Sequence, residues 1–153
     1  MLRLNTIKHF LSCGISVSDT TKPLNFNISL DSDCIASLTT HEPLYSVTHS
    51  FYEDTLHNLS FHMSGKTNEH TILDDDNNIV SSTQIEILNI EIDGVSIMDA
   101  LLSDDNVSTY LHSFNGNSPE KKHNGFDSSM GFNGLLNIEF TTPIHKWISE
   151  RMS

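Results

Sequence analysis

The run Gln84 to Met98, QIEILNIEIDGVSIM, is the densest stretch of β-branched and large apolar residues in the chain, and the fold must be built around it. Two-residue steps put Ile85 and Ile87 on one face, then Leu88, Ile90 and Ile92 on the other, so the phase slips between Ile87 and Leu88. A slip of one residue sends every later side chain to the opposite face, so it predicts either a β-bulge or a central strand covered on both faces. Asp93-Gly94 is a tight-turn dipeptide, and Val95 to Ile97 after it completes a predicted hairpin. A strand this apolar is read as scaffold. Function is expected in the polar segments on either side of it.

The rest of the chain supplies shorter strands. Phe26, Ile28 and Leu30 alternate with Asn25, Asn27 and Ser29, and Leu59, Phe61 and Met63 alternate with Ser60 and His62. Leu44 to Phe51 splits into a Leu44, Ser46, Thr48, Ser50 face and a Tyr45, Val47, His49, Phe51 face. Leu2 to Phe10, Leu11 to Val17, Thr109 to Phe114 and Leu135 to Phe140 read as further strands, and Cys34 to Thr40 is ambiguous. Helical spacing competes only at Ile97 to Leu102 and after Pro143, where Ile144, Trp147, Ile148 and Arg151 line one face. Seven to nine short strands joined by Asn, Asp and Gly turns predict an all-β fold, an antiparallel β-sandwich or jelly roll with a short C-terminal helix. At 153 residues the chain fits a single domain, with 1–23 as an N-terminal arm, 115–130 as a long polar loop and 143–151 as the helix.

Charge excludes one class of partner. The formal net charge is −12, and no Lys or Arg occurs between Lys66 and Lys121. Such a surface repels a phosphate backbone, so nucleic acid is excluded. No segment reaches the roughly 18 consecutive apolar residues of a membrane span, and the start, broken by Asn5, Thr6, Lys8 and His9, does not read as a signal peptide. Cys13 and Cys34 lie in no metal-binding spacing and are expected as buried free thiols rather than a disulfide.

No motif fixes an enzyme. There is no nucleophile elbow, phosphate loop or paired-carboxylate pattern, and the nine histidines form no HxH or HxxxH pair, so the chain is read as non-enzymatic and without a zinc site. Asp74, Asp75, Asp76, Asn77 and Asn78 form the one constellation with ligand chemistry, since calcium takes several carboxylate and amide oxygens. They lack the EF-hand pattern, and the plainer reading is a solvated acidic turn; Asp104-Asp105-Asn106 is a weaker copy. Most aromatic residues are expected in the core. Phe126, between Gly125 and Asp127, is expected to be exposed, and with Lys121, Lys122, Asn124 and Trp147 it forms the candidate interface or ligand surface.

Leu59 to Lys66, the acidic turn, Ile85-Glu86-Ile87, Ile90 to Val95, Gly131-Phe132-Asn133-Gly134, Ile138-Glu139-Phe140, Pro143 and Trp147 together resemble small β-sandwich virion proteins of tailed bacteriophages, over about residues 59–150. The resemblance implies a fold akin to carbohydrate-binding modules and a structural role in the tail, baseplate or capsid surface, assembled in the bacterial cytoplasm. Such an assembly protein is expected to contact other virion proteins or copies of itself through the N-terminal arm up to Phe10, the 115–130 loop and the C-terminal helix. It carries over no site residue. The alternative is a calcium-assisted carbohydrate-binding module that attaches to a glycan through Asp74 to Asn78 and an aromatic platform.

Overall fold

The computed structural model describes residues 7–113 and 121–152. In chain order come β1 (Lys8–Val17), β2 (Asn25–Leu30), β3 (Asp33–Thr39), β4 (Leu44–Tyr52) and β5 (Leu56–Ser64), then one 3-10 turn at Asn68–His70. Short β6 (Thr71–Leu73) and β7 (Ile79–Ser82) precede β8 (Ile85–Ile92), β9 (Val95–Ser96) and helix α1 (Met98–Ser103). The chain continues through β10 (Ser108–Ser113), β11 (Lys121–Asn124), β12 (Ser129–Met130), β13 (Asn133–Thr141) and helix α2 (Ile144–Met152). One sheet is ordered β12-β8-β1-β4, with β9 added beside β8. The other is β11-β10-β13-β5-β2-β3, and β6 with β7 makes a separate ribbon. The expected antiparallel β-sandwich with a short C-terminal helix is the fold that forms. It has thirteen strands among the described residues rather than seven to nine, because pieces of two to four residues are too short to leave a hydrophobic period.

The phase slip in β8 is a bulge. Gly14 of β1 faces Asn89 and Ile15 faces Ile87, so Leu88 is the unpaired extra residue. It lies 52% exposed on the outer face. Ile90 and Ile92 therefore return to the same buried face as Ile85 and Ile87, not to the opposite one. Burying four isoleucines at about 1.5–3 kcal/mol each gives this strand on the order of 6–12 kcal/mol, comparable to the net stability of a whole domain. Asp93 (φ 53°) and Gly94 (φ 78°) form the predicted turn, both in the left-handed region that a two-residue hairpin loop with this hand requires.

Four expectations change. The described part of the first segment is one strand rather than two, since His9, Leu11, Cys13, Ile15 and Val17 alternate inward without a break. Cys34 is exposed because it lies on an edge strand, while Cys13 is buried; both thiols are free. The predicted 115–130 loop contains β11 and β12, which as outer strands need no apolar face of their own; residues 115–120 lie outside the described residues. Phe126 is buried, not exposed. The Gly125 N–H donates to the Ser108 carbonyl and turns at φ 106°, which carries Phe126 into the core.

Candidate functional site

The predicted site residues fall in separate places. Asp74 to Asn78 is the turn of the β6–β7 ribbon. Asp74 Oδ1 accepts from the Asp76 and Asn78 amides, each at 2.9 Å, and the Asp74 N–H donates to the Asn78 carbonyl. This carboxylate is thus already used to close the turn, a local Asx bond of the usual kind. Among the described residues no group of three or more His, Cys, Asp or Glu is gathered for a metal. Asp104 Oδ1 caps its own turn through the Asn106 amide, and Oδ2 lies 3.7 Å from Arg151 Nε. Lys121, Lys122 and Asn124 are exposed on β11, opposite His112, Leu111 and Thr109 of β10. Trp147 is buried, with Arg151 4.5 Å above its ring, so it anchors α2 instead of offering a contact surface.

The structure brings together a different set. A cavity of about 290 Å³ opens between the 3-10 turn, the β6–β7 ribbon and the link from β12 to β13, lined by Lys66, Asn68, Thr71, Ser82, Gln84 and Phe132 among others. Lys66 is 9% exposed. Its ammonium donates to Ser82 Oγ at 2.6 Å, the Thr83 carbonyl at 2.7 Å and the Gly131 carbonyl at 2.6 Å. All three acceptors are neutral, so hydrogen bonding is satisfied but, among the described residues, the charge is not paired. Burial accordingly lowers the Lys66 pKa.

The frame of this cavity is fixed by reciprocal bonds. The Lys66 amide donates to Asn133 Oδ1, and Asn133 Nδ2 donates back to the Lys66 carbonyl, both at 2.9 Å. The Thr67 amide donates to His70 Nδ1 at 3.0 Å. That nitrogen is therefore the acceptor of the ring, and Nε2 carries the hydrogen donated to the Pro23 carbonyl at 3.3 Å. The Tyr110 hydroxyl, its pKa pushed up to about 12 by burial, donates to the Phe132 carbonyl at 2.6 Å.

Phe132 stands at the rim, 37% exposed. Its ring stacks on His112 at 5.1 Å and 16°. Burial, with Lys121 and His123 nearby, lowers the His112 pKa and so favours the neutral ring. The pair forms a wall between this cavity and a shallower cleft of about 280 Å³ lined by His62, Leu111, His112 and Asn133. Gly134 keeps the wall close: a Cβ there would overlap the Leu111 carbonyl oxygen and the His112 backbone.

None of these residues is singled out by the sequence reasoning as a site. The available signal is Phe132 itself, a lone aromatic inside the turn Gly131-Phe132-Asn133-Gly134, where a core role is hard to arrange. Lys66 gives no sequence signal, because its partners are mostly backbone carbonyls. Chemically the cavity offers amides, hydroxyls, one ammonium and an aromatic ring. Among the described residues, its lining contains no carboxylate, thiol or imidazole.

At the opposite end of the sandwich, His9 is buried with Nδ1 2.6 Å from Asp93 Oδ2 and Nε2 2.8 Å from Asp54 Oδ1. Both nitrogens meet carboxylates, so both donate and the ring is an imidazolium. Burial opposes that charge, and the hydrogen bonds and charges of Asp93 and Asp54 outweigh it, raising the His9 pKa. His57 Nδ1 similarly lies 2.7 Å from Asp31 Oδ2, and its Nε2 lies 3.0 Å from the Glu53 carbonyl. Phe51 packs between the two rings at 5.3 and 4.8 Å. This end is closed by side chains.

No family model matches the chain, and no curated protein matches it. Among solved structures, the fold is similar to that of vCBM60 in complex with galactobiose, with a TM-score of 0.50 and 8% identity over 84% of this chain and 96% of that one. A selenomethionine form of vCBM60, from work linking two families of calcium-dependent carbohydrate-binding modules by circular permutation, gives a TM-score of 0.48 and 9% identity over 85% and 89% of the two chains. At 8% identity the first likeness is one of fold alone, the β-sandwich of a carbohydrate-binding module. Of the resemblance over residues 59–150, the first likeness supports the carbohydrate-binding-module-like fold.

Proposed function

We propose that this protein binds carbohydrate without chemically altering it, and that the cavity beside Phe132 receives the sugar. The carrying observation is the composition of that cavity. Sugar hydroxyls need convergent amides and hydroxyls, here Asn68, Thr71, Ser82 and Gln84, and the apolar face of a pyranose packs on an aromatic ring such as Phe132. A volume of about 290 Å³ lies at the small end for ligand sites, enough for one sugar unit with the rest of the glycan passing over the rim. Glycoside hydrolysis commonly uses two carboxylates, and among the described residues the lining has none. The fold likeness to vCBM60, seen in complex with galactobiose, supports the reading. The reading of a tailed-phage structural subunit has no comparable observation behind it.

Isothermal titration of the full chain with galactobiose and a panel of neutral oligosaccharides tests the proposal. A disaccharide of about 23 non-hydrogen atoms at roughly 0.3 kcal/mol per atom sets a ceiling near −7 kcal/mol, a Kd on the order of 10 µM. Phe132→Ala is expected to weaken binding about tenfold or more, roughly 1.4 kcal/mol, while leaving the circular dichroism unchanged. Absence of binding across a broad glycan array sinks the proposal. Calcium at Asp74 to Asn78 is addressed by repeating the titrations and thermal melts with calcium and with EDTA. A Tm that rises with calcium, but not in Asp74→Ala/Asp76→Ala, supports a site there. A Tm that does not respond removes it.

A further inference from the structure

The two main sheets end in four edges, and three are defended against pairing with another chain. Beside β8 the edge is broken into β12 and β9, two residues each. Strand β11 has four residues, two of them Lys121 and Lys122. Strand β3 opens on Asp33 and is kinked where Ile28 faces Ala36 and Ser29 faces Cys34, leaving Ile35 as an extra residue. Short length, lysines, charge and bulges are the usual devices that stop edge-to-edge association.

The fourth edge has none of them. Strand β4, LYSVTHSFY, runs nine residues with no Lys, Arg, Asp, Glu or Pro, and its ladder with β1 has no register shift. Its start is pinned by the Tyr45 hydroxyl, which donates to the Thr39 carbonyl and accepts from the Glu42 amide. Among the described residues, its backbone hydrogen-bonds only within the ladder to β1. One row of peptide groups is therefore left over along the whole strand.

We propose that the β4 edge pairs antiparallel with the β4 edge of a second copy of this chain. Charge limits where a second copy can dock. Two copies at a net charge of −12 repel each other over most of their surfaces, and a long strand without formal charge is where they can meet. The sequence is also self-complementary about Thr48. Antiparallel pairing centred there sets Leu44 opposite Tyr52, Tyr45 opposite Phe51, Ser46 opposite Ser50, Val47 opposite His49 and Thr48 opposite itself. Apolar and aromatic residues thus meet each other, small hydroxyl residues meet each other, and no like charges are opposed, as favourable cross-strand pairs require. The contact is isologous and closes on a two-fold axis. It joins two copies of β12-β8-β1-β4 into one continuous sheet.

Sedimentation equilibrium of the full chain tests this. The expected result is a concentration-dependent mass approaching twice 17.2 kDa, strengthened by added salt, which screens the repulsion between acidic copies. Thr48→Lys sets two ammonium groups opposite each other on the axis and is expected to raise the dimer dissociation constant about tenfold or more. Thr48→Val, which keeps the strand uncharged, is expected to leave it unchanged or lower it. Residue 48 is exposed, so both variants are expected to keep the wild-type circular dichroism and melt. A chain that stays monomeric to about 1 mM, the weakest association worth naming, overturns the proposal. So does a dimer that Thr48→Lys leaves intact, or an edge taken up by a different protein while the pure chain stays monomeric.

Discussion

The sandwich buries a cation at each end, and the two are held in opposite ways. His9 sits between Asp54 and Asp93 and is charged because they are. Lys66 sits among a hydroxyl and two carbonyls, and its surroundings work against its charge. Strand β5 starts beside the first end and Lys66 follows its finish, so roughly 30 Å of chain separates them. The difference separates scaffold from site. Where carboxylates complete the ion pair, the end of the sandwich is filled by Phe51, His57 and Phe140. Where the charge is spread over neutral dipoles, a polar cavity stays open beside it.

The contrast can be broken most severely at Lys66. Lys66→Met leaves the Thr83 and Gly131 carbonyls without their Lys66 donor, while Ser82 Oγ keeps Thr71 Oγ1 at 3.3 Å. At about 1 kcal/mol or more for each of the two stranded acceptors it is expected to cost roughly 2 kcal/mol, a fall in Tm of about 4–8 °C by calorimetry. Sugar binding should be lost with it, since three segments of the cavity wall come apart. His9→Leu leaves Asp54 and Asp93 facing each other. Because these carboxylates are 40% and 33% exposed, solvent screening limits the expected cost to about 1–2 kcal/mol, and glycan affinity should not change. If the two variants cost the same and both abolish binding, the division into scaffold and site is wrong. Phe132→Ala should cost about 1 kcal/mol of stability in chemical denaturation, its larger effect falling on affinity.

The smallest effect separates the two cations by sign. The raised His9 pKa means that the folded state holds its proton more tightly than the unfolded chain. Its contribution is therefore full below the ordinary value of about 6.5 and is lost as pH rises through the folded-state value. The lowered Lys66 pKa works the other way: stability rises with pH between its folded-state value and about 10.4, where only the unfolded chain keeps the proton. Thermal melts across pH 6 to 10 should show a decline that His9→Leu removes and a later gain that Lys66→Met removes. Parallel profiles in wild type and His9→Leu would falsify the imidazolium assignment.

The scaffold was legible in the sequence where the hydrophobic period is strong. Strands β2, β4, β5 and β13 show as alternation, α2 shows as helical spacing after Pro143, and the slip at Leu88 marks the bulge. What the period could not show was which face Ile90 and Ile92 would take, because that depends on whether β1 absorbs the extra residue. The candidate site was hidden for a related reason. Lys66, Ser82 and Gly131 belong to three segments that converge only when the sheets pack, and two of the three acceptors are backbone oxygens that no side-chain pattern encodes. Phe126 misled because neighbouring Gly and Asp suggest exposure, whereas the Gly125 turn folds it inward.

Leu88 has one more consequence, for how this chain tolerates a change of length. Without it the strand would read Ile85, Glu86, Ile87, Asn89, Ile90, Glu91, Ile92, an unbroken alternation with all four isoleucines still inward. Deleting Leu88 therefore keeps every core side chain in frame, and deleting Asn89 does the same because Leu88 then takes its outward place, whereas deleting any other single residue from Ile85 to Ile92 removes a core isoleucine or breaks the alternation. The gene can lose either of those two codons and keep its hydrophobic reading frame.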